Sequence, residues 1–206
     1  MISGKHMKRR RFLKNAVVLS GTFLGCAGWL GYLVPKATVR ERLLRPPGAL
    51  PDREFLSRCI QCMRCVDSCP NHAILANSGS PDRFQQGTPV IKARRQACML
   101  CNGIPGEFLR CTEVCPTGAL QLVKKDTETI LQKVTMGTAE IDTALCYSYN
   151  NWVCGTCYRA CPFPGKAMTL GMWEKPEVNP ESCIGCGACE RACITYPQAI
   201  RVARRV

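Results

Sequence analysis

Hydrophobic positions in this chain form one long run near the start and several short runs later on. Residues 16–34 contain no charged side chain and are moderately apolar. The later runs are brief enough to predict short strands. Four of them follow clustered cysteines, at 74–76, 120–123, 168–170 and 200–202. Three more precede such cysteines, at 89–92, 139–142 and 176–178.

Sixteen of the 17 cysteines form four groups of four among these runs. Group one is Cys59, Cys62, Cys65 and Cys69; group two is Cys98, Cys101, Cys111 and Cys115; group three is Cys146, Cys154, Cys157 and Cys161; group four is Cys183, Cys186, Cys189 and Cys193. Groups one and four have the spacing C-x2-C-x2-C-x3-C of bacterial ferredoxins, and groups one to three end in Cys-Pro. The pattern predicts a unit of strand, cysteine loop, short helix and strand, repeated four times.

This spacing suits an iron-sulfur cluster for a geometric reason. Two residues between thiolates let one loop reach several irons, and a fourth cysteine three residues further on points towards a partner cluster. Four groups therefore predict four [4Fe-4S] clusters in cross-ligated pairs. Disulfides and zinc are the alternatives, but disulfide frameworks rarely repeat this pattern and zinc sites do not require the third cysteine.

The predicted fold class is α+β, with two ferredoxin-like dicluster lobes after an N-terminal signal or anchor helix. We divide the chain into a signal or anchor at 1–35, a linker at 36–58 and a four-cluster region at 59–206. No single repeat can bury much apolar surface, so the clusters take the place of much of a hydrophobic core. We therefore expect the chain beyond residue 58 to unfold without its clusters.

The amino terminus carries a pattern similar to the twin-arginine export signal. Arg9 and Arg10 form the pair, and Phe12, Leu13 and Lys14 complete the motif. That pathway suits a protein that folds around its cofactors before export, so we expect a location on the periplasmic side of the cytoplasmic membrane. Residues 16–34 are nearly long enough to cross a bilayer, which favours an uncleaved anchor over a cleaved signal. Cys26, inside this run, is interpreted as an inert thiol rather than a lipidation site.

Composition narrows the function further. The sequence has no nucleophile elbow, phosphate-binding loop or dinucleotide fingerprint, and its two histidines exclude a His-rich metal site. The formal net charge is +13, but six of the cations precede residue 35. Sixteen thiolates with four clusters of core charge about +2 would add about −8. The basic balance therefore does not indicate a nucleic-acid partner.

The whole set of motifs resembles the MauM/NapG family of ferredoxin-type proteins. The resemblance rests on the twin-arginine start, residues 45–49, the four groups, 157–162 and 183–190, and it covers nearly the whole chain. It implies electron transfer without a catalytic site, since no residue is identified as catalytic and the cluster ligands are the only cofactor-binding residues. The implied partners are a polytopic membrane ferredoxin or quinol dehydrogenase, and a periplasmic reductase, such as nitrate reductase, or a c-type cytochrome. The alternative is an electron-transfer subunit of another membrane-bound system, such as a methylamine or molybdopterin enzyme.

The way the groups pair is taken from similar polyferredoxins. Those proteins typically pair the outer groups with each other and the inner groups with each other. On that basis one cluster takes Cys59, Cys62, Cys65 and Cys193, and its partner takes Cys183, Cys186, Cys189 and Cys69. The inner clusters then take Cys98, Cys101, Cys111 and Cys161, and Cys146, Cys154, Cys157 and Cys115. Sequential pairing, group one with two and three with four, stays open.

Overall fold

The computed structural model describes residues 43–80 and 82–204. The helices are α1 (Asp52–Arg58), α2 (Arg64–Asp67), α3 (Arg110–Glu113), α4 (Thr127–Lys133), α5 (Thr156–Ala160) and α6 (Ala188–Ala192). The strands are β1 (Ile74–Ala76), β2 (Pro89–Ile91), β3 (Thr138–Ile141), β4 (Met168–Leu170), β5 (Pro176–Val178) and β6 (Ile200–Ala203). Short 3-10 turns occupy Tyr147–Tyr149 and Met172–Glu174. The predicted signal or anchor helix and Cys26 lie outside the described residues.

Two of the helices have clear local reasons to form. Helix α1 begins after Pro51, carries acidic Asp52 and Glu54 in its first turn and ends at Arg58, as the helix dipole favours. At α4, the Asp126 side chain accepts a hydrogen bond from the backbone N–H of Thr129 at 2.7 Å, which caps the helix. The other four helices are single turns, and each holds the third cysteine of a group.

The first half of the molecule, residues 43–80 and 82–124, contains groups one and two. Strand β1 pairs antiparallel with β2, with Ile74 opposite Ile91. The predicted strand at 120–123 is reduced to one antiparallel bridge, between Ala49 and Leu120. Its neighbour is the segment 45–50, which contains Pro46 and Pro47 and so lacks the donors that a longer ladder needs.

The second half, residues 138–204, contains groups three and four in the same plan. Strand β4 pairs with β5, as β1 pairs with β2. Strand β3 pairs with β6 over four residues, from Thr138 opposite Ala203 to Ile141 opposite Ile200. Six of the seven predicted short runs therefore contain strands, and the mixed helix and strand content with two ferredoxin-type halves is as expected.

The described part of the predicted linker is not a linker. Residues 43–58 pack into the main apolar core, where Leu44 and Phe55 are buried. Leu44 also accepts a backbone hydrogen bond from Ile91 at 2.8 Å. The hydrophobic residues of this segment are few and irregularly spaced, which is why the sequence pattern does not reveal their burial.

Contacts also join the two halves. The backbone N–H of Cys98 donates to the carbonyl of Cys186 at 2.9 Å. Arg204, after β6, binds the carboxylate of Asp52 on α1. The main core extends across both halves, whereas a second, smaller core contains Ala139, Met168, Cys189 and Ile200. Across residues 43–80 and 82–204, the helices are all too short or too polar to cross a membrane.

Candidate metal centres

The sixteen grouped cysteines line four cavities, four to each cavity. Site 1 has Cys59, Cys62, Cys65 and Cys115. Site 2 has Cys69, Cys98, Cys101 and Cys111. Site 3 has Cys161, Cys183, Cys186 and Cys189. Site 4 has Cys146, Cys154, Cys157 and Cys193. Each cavity offers about 340 to 370 Å³ of space, including the part open to solvent, and the walls are mainly apolar.

The pairing of groups is sequential, so the pairing taken from similar polyferredoxins is wrong here. Cys115 lies with group one and Cys69 with group two, while Cys193 lies with group three and Cys161 with group four. The strands explain this arrangement. The β1–β2 pair joins groups one and two, and the β4–β5 and β3–β6 pairs join groups three and four. The fourth cysteine of each group still crosses to the neighbouring cavity.

The loops of groups one, three and four share an unusual backbone conformation just before their helices. Met63 precedes α2 with φ of 62°, Gly155 precedes α5 with φ of 56°, and Gly187 precedes α6 with φ of 83°. This left-handed conformation turns the chain so that the third cysteine, in the helix that follows, faces the same cavity as the cysteines before it. Glycine adopts it without strain, but a residue with a Cβ atom does not. The loop geometry of group one is therefore held by its surroundings.

Eight of the sixteen thiols are held in surroundings that raise their pKa and so disfavour an uncompensated thiolate. Burial, together with charge on neighbouring cysteines, raises the pKa of Cys65 and of Cys98 to about 12. Burial likewise raises the pKa of Cys157 and of Cys186 to about 11. A cationic metal centre reverses this preference because a coordinating thiol is deprotonated outright. The cavities thus favour thiolates only when positive charge is placed among them.

The fourth cysteines of groups two and four have the opposite shift. Burial raises the pKa of Cys115, but hydrogen bonds from Leu120, Thr117 and Ala119 outweigh burial and leave that pKa lowered. Burial likewise raises the pKa of Cys193, and bonds from Thr195 and nearby backbone N–H groups again leave it lowered.

Two of the hydrogen bonds to fourth cysteines have clear geometry. The backbone N–H of Leu120 lies 3.4 Å from the sulfur of Cys115, and that of Ala73 lies 3.3 Å from the sulfur of Cys69. Hydrogen bonds of this kind to sulfur are one of the means by which a protein sets the potential of an iron-sulfur cluster.

The four sites follow one another through the molecule. Charge on Cys65 of site 1 and on Cys69 of site 2 both contribute, after burial, to the raised pKa of Cys111. Sites 2 and 3 adjoin at the hydrogen bond from Cys98 to Cys186. Sites 3 and 4 also adjoin, since charge on Cys157 of site 4 contributes, after burial, to the raised pKa of Cys189 of site 3. The order is therefore site 1, site 2, site 3, site 4.

The donor set fits iron-sulfur clusters. All sixteen cysteines are free thiols in the structure, and each site supplies four of them, one for each iron of a cubane. Within the described residues, no three His, Cys, Asp or Glu side chains are grouped tightly enough to hold one metal ion. When bound, an iron-sulfur cluster supplies one-electron redox chemistry. His72 is exposed and does not line any of the four sites.

Sequence reasoning missed the surroundings of site 1. Phe55 and Pro89 line this cavity beside the cysteines. Behind them lies Arg45, with 1% of its surface exposed. The resemblance does include residues 45–49, which was the available signal, but the buried position of the arginine depends on contacts with residues more than forty positions away, such as Thr88.

Comparison with known families agrees with this geometry. A 4Fe-4S dicluster domain matches residues 58–119, which span groups one and two together, and a 4Fe-4S binding domain matches residues 175–200. The chain is thus a ferredoxin-type iron-sulfur protein.

The full-length relatives define the family more closely. The methylamine utilization ferredoxin-type protein MauM of Methylobacillus flagellatus is 37% identical, over 92% of this chain and 78% of its own length. The ferredoxin-type protein NapG of Escherichia coli is 34% identical, over 94% of this chain and 84% of its own length. That of Haemophilus influenzae is 35% identical, over 95% of this chain and 71% of its own length. The chain belongs to the MauM/NapG family of ferredoxin-type proteins, and it is an electron-transfer protein of that type.

Proposed function

We propose that each of the four sites holds one [4Fe-4S] cluster and that the chain relays electrons one at a time along them, with no substrate turnover of its own. The observation that carries this proposal is the grouping of sixteen thiols into four similar four-cysteine cavities that follow one another. The hydrogen bond from Cys98 to Cys186 supports passage between the halves, because it brings sites 2 and 3 together.

The number of clusters is tested by iron and acid-labile sulfide per chain, with EPR of the reduced protein. We expect about 16 irons and spectra of magnetically interacting [4Fe-4S] clusters. The variant Cys115→Ser is expected to disturb the cluster of site 1, and Cys69→Ser that of site 2. Cys26→Ser is the matched control, since Cys26 belongs to none of the groups, and it keeps the full iron content. A count near 4 irons, or zinc in place of iron, contradicts the proposal.

We further propose that the protein works on the periplasmic side of the cytoplasmic membrane, exported through Arg9 and Arg10 and attached by residues 16–34. The uncharged run at 16–34 and the basic residues before it support this proposal. Replacing both arginines by lysine is expected to leave the protein in the cytoplasmic fraction. Lys5→Arg with Lys8→Arg is the control and should leave export intact. Normal export of the double-lysine variant contradicts the role of the pair.

For partners, we propose a membrane-bound quinol-oxidising protein on one side and a periplasmic reductase on the other. NapG relatives favour nitrate reductase, and MauM relatives favour the alternative, a methylamine system. Purification of the intact protein from membranes distinguishes them. A nitrate reductase or polytopic ferredoxin that is reduced or oxidised by this chain supports the first, and a dehydrogenase that exchanges electrons with it supports the second.

A further inference from the structure

Arg45 is the one charged side chain among the buried residues of 43–80 and 82–204. Burying a cation is costly unless it is paired and hydrogen-bonded. Its guanidinium Nη1 donates to the Thr88 hydroxyl at 2.7 Å and to the Pro89 carbonyl at 3.2 Å. Its Nε lies 3.4 Å from the carboxylate of Asp52. Contacts on several sides therefore fix its position.

The buried guanidinium lies directly behind the wall of site 1. Its central carbon is 4.8 Å from the ring centroid of Phe55, a cation–π contact, and both Phe55 and Pro89 line the cavity. The carbonyl of Phe55 also accepts the backbone N–H of Cys59 at 2.8 Å. One layer of side chains thus separates the cation from the four thiols of this site.

The charge of Arg45 is only partly balanced. Among residues 43–80 and 82–204, Asp52 is the one carboxylate paired with Arg45, and its side chain is 42% exposed, so solvent weakens its effect. Asp52 also binds Arg204, which brings a second cation to the same carboxylate. Within the described residues, Nη2 of Arg45 has no hydrogen-bond partner. The three groups together leave net positive charge behind site 1.

Other arginines at the sites are exposed. Arg64 lines site 1 itself, and Arg94 and Arg159 donate to the carbonyls of Cys193 and Cys154, which line site 4. Arg45 differs because it is buried while it contacts two residues of the wall of site 1. Adding one electron to a cluster makes it more negative, and a fixed cation nearby favours that form. A cation held in a poorly solvated place acts strongly and is little screened by salt.

We propose that Arg45 tunes the redox potential of site 1, raising it relative to the value that the same four cysteines would give without the buried guanidinium. This inference rests on the proposed function, because it requires a cluster in site 1. Arg45 acts through the field at that site and does not bind the cluster itself. A purely structural role for Arg45 would instead predict variants that lose stability while the potential stays the same.

The test is an EPR-monitored redox titration of the full-length holoprotein, with dithionite as reductant. The signal of site 1 is identified as the one that changes in the Cys62→Ser variant, since Cys62 belongs to that site. Arg45→Gln is expected to lower the ratio of reduced to oxidised site 1 at fixed potential about tenfold, which is about 59 mV for a one-electron couple. Arg45→Lys retains the charge and is expected to keep most of the potential.

The Asp52→Asn variant tests the same proposal independently, because it should change the redox potential of site 1 in the opposite direction. This substitution removes the carboxylate that partly balances the charge of Arg45, so the redox potential of site 1 is expected to rise. Because Asp52 is partly exposed, the protein should tolerate the change. Arg58→Gln is the matched control, because Arg58 is an exposed arginine beside Cys59 in sequence, and its effect is expected to be small and to vanish in salt. The shift from Arg45→Gln is expected to persist in salt.

The outcomes distinguish failure of the proposed function from failure of the inference about Arg45. If wild-type protein lacks iron at site 1, the proposed function fails. If the iron content is full and Arg45→Gln leaves the site 1 potential unchanged, or shifts all four sites alike, the inference about Arg45 fails while the proposed function stands. If Arg45→Gln does not fold, a fall or no change in potential with Asp52→Asn overturns the inference by itself.

Discussion

The two halves of the molecule have the same plan but complete it differently. In the second half, the segments that flank the two groups form a four-residue ladder, β3 with β6. In the first half, the corresponding segments meet in the single bridge between Ala49 and Leu120. There the chain before group one supplies buried side chains instead, among them Phe55. Closing a ferredoxin-type half therefore needs either backbone pairing or side-chain packing in this position.

The outer sites of the two halves differ as well. Site 1 has a buried aromatic ring, Phe55, in its wall and a buried cation, Arg45, behind that ring. Large exposed apolar side chains line site 4 or adjoin its cysteine loops in sequence, namely Tyr147, Trp152, Val153, Ile194 and Tyr196. The charged groups nearby are paired, with Arg159 3.4 Å from Glu174. Equivalent sets of cysteines thus lie in unlike surroundings at the two ends of the series.

Removing the iron is expected to have the largest effect on the fold, and to affect the second half more than the first. The second core has only four buried apolar residues, whereas the main core has many more and includes Phe55. We expect chelation under oxidising conditions to abolish cooperative unfolding, with residual hydrogen-exchange protection confined to the main core.

Circular dichroism during heating, with hydrogen exchange by region, checks this expectation. Reconstitution with iron and sulfide is the control and should restore the transition. A cooperative transition in the apoprotein near that of the holoprotein would show that the clusters do not replace the core.

The next largest difference is expected between aromatic side chains at the two outer sites, in how much each contributes to the stability of the holoprotein. Phe55→Ala is expected to destabilise the holoprotein by about 3–5 kcal/mol, because it empties a fully buried volume. Trp152→Ala should change stability by less than about 0.5 kcal/mol, because Trp152 is 70% exposed. Denaturant titration followed by cluster absorbance measures both.

Phe84→Ala is the matched control for the Phe55 substitution, since Phe84 is 79% exposed and lines none of the four sites. Equal losses from Phe55→Ala and Phe84→Ala would contradict the view that side-chain packing closes the first half.

Two substitutions at corresponding positions of the cysteine loops, one in each half, test how the left-handed backbone conformation affects stability. Met63 and Gly187 both precede a single-turn helix with positive φ. A Cβ on Gly187 would also lie 2.5 Å from the Cβ of Ala93. Gly187→Ala is therefore expected to cost about 1–3 kcal/mol, whereas Met63→Gly is expected to be neutral or stabilising by up to about 1 kcal/mol.

Thermal or denaturant midpoints of the two holoproteins measure this exchange. Gly79→Ala is the control, because Gly79 has open space around its Cβ position and no positive φ. A large loss from Met63→Gly would mean that its side chain, and not the backbone conformation, maintains the loop of group one.

The smallest expected effect concerns the contact between the halves. Nη1 of Arg94 donates to the carbonyls of Glu190, Arg191 and Cys193 at the end of α6, at 3.2, 3.1 and 2.8 Å. Arg94→Ala is expected to cost about 1 kcal/mol, since these bonds are solvent-exposed. The exposed Arg95 provides the control, and Arg95→Ala should stay within about 0.5 kcal/mol. Equal losses of stability from Arg94→Ala and Arg95→Ala would contradict the view that the Arg94 contact stabilises the junction of the two halves.

The sequence predicts most of the site and only part of its surroundings. Spacing alone identifies all sixteen cysteines and the crossing of each fourth cysteine, because both depend on a few consecutive residues. The pairing of groups depends on which short strands meet, and three-residue strands such as β1 and β2 carry too little sequence information to specify a partner. The burial of Arg45 likewise depends on distant Thr88 and Asp52, so local sequence patterns do not reveal it.

The crossing of the fourth cysteines also sets the timing of assembly. Site 1 has three of its cysteines once Cys65 is synthesised, but the fourth, Cys115, follows only after most of group two. Site 4 waits in the same way for Cys193, in the last group. Group four must therefore leave the ribosome before site 4 can be completed. If the protein is exported in the folded state, as proposed above, cofactor insertion is expected to finish after translation and before transport.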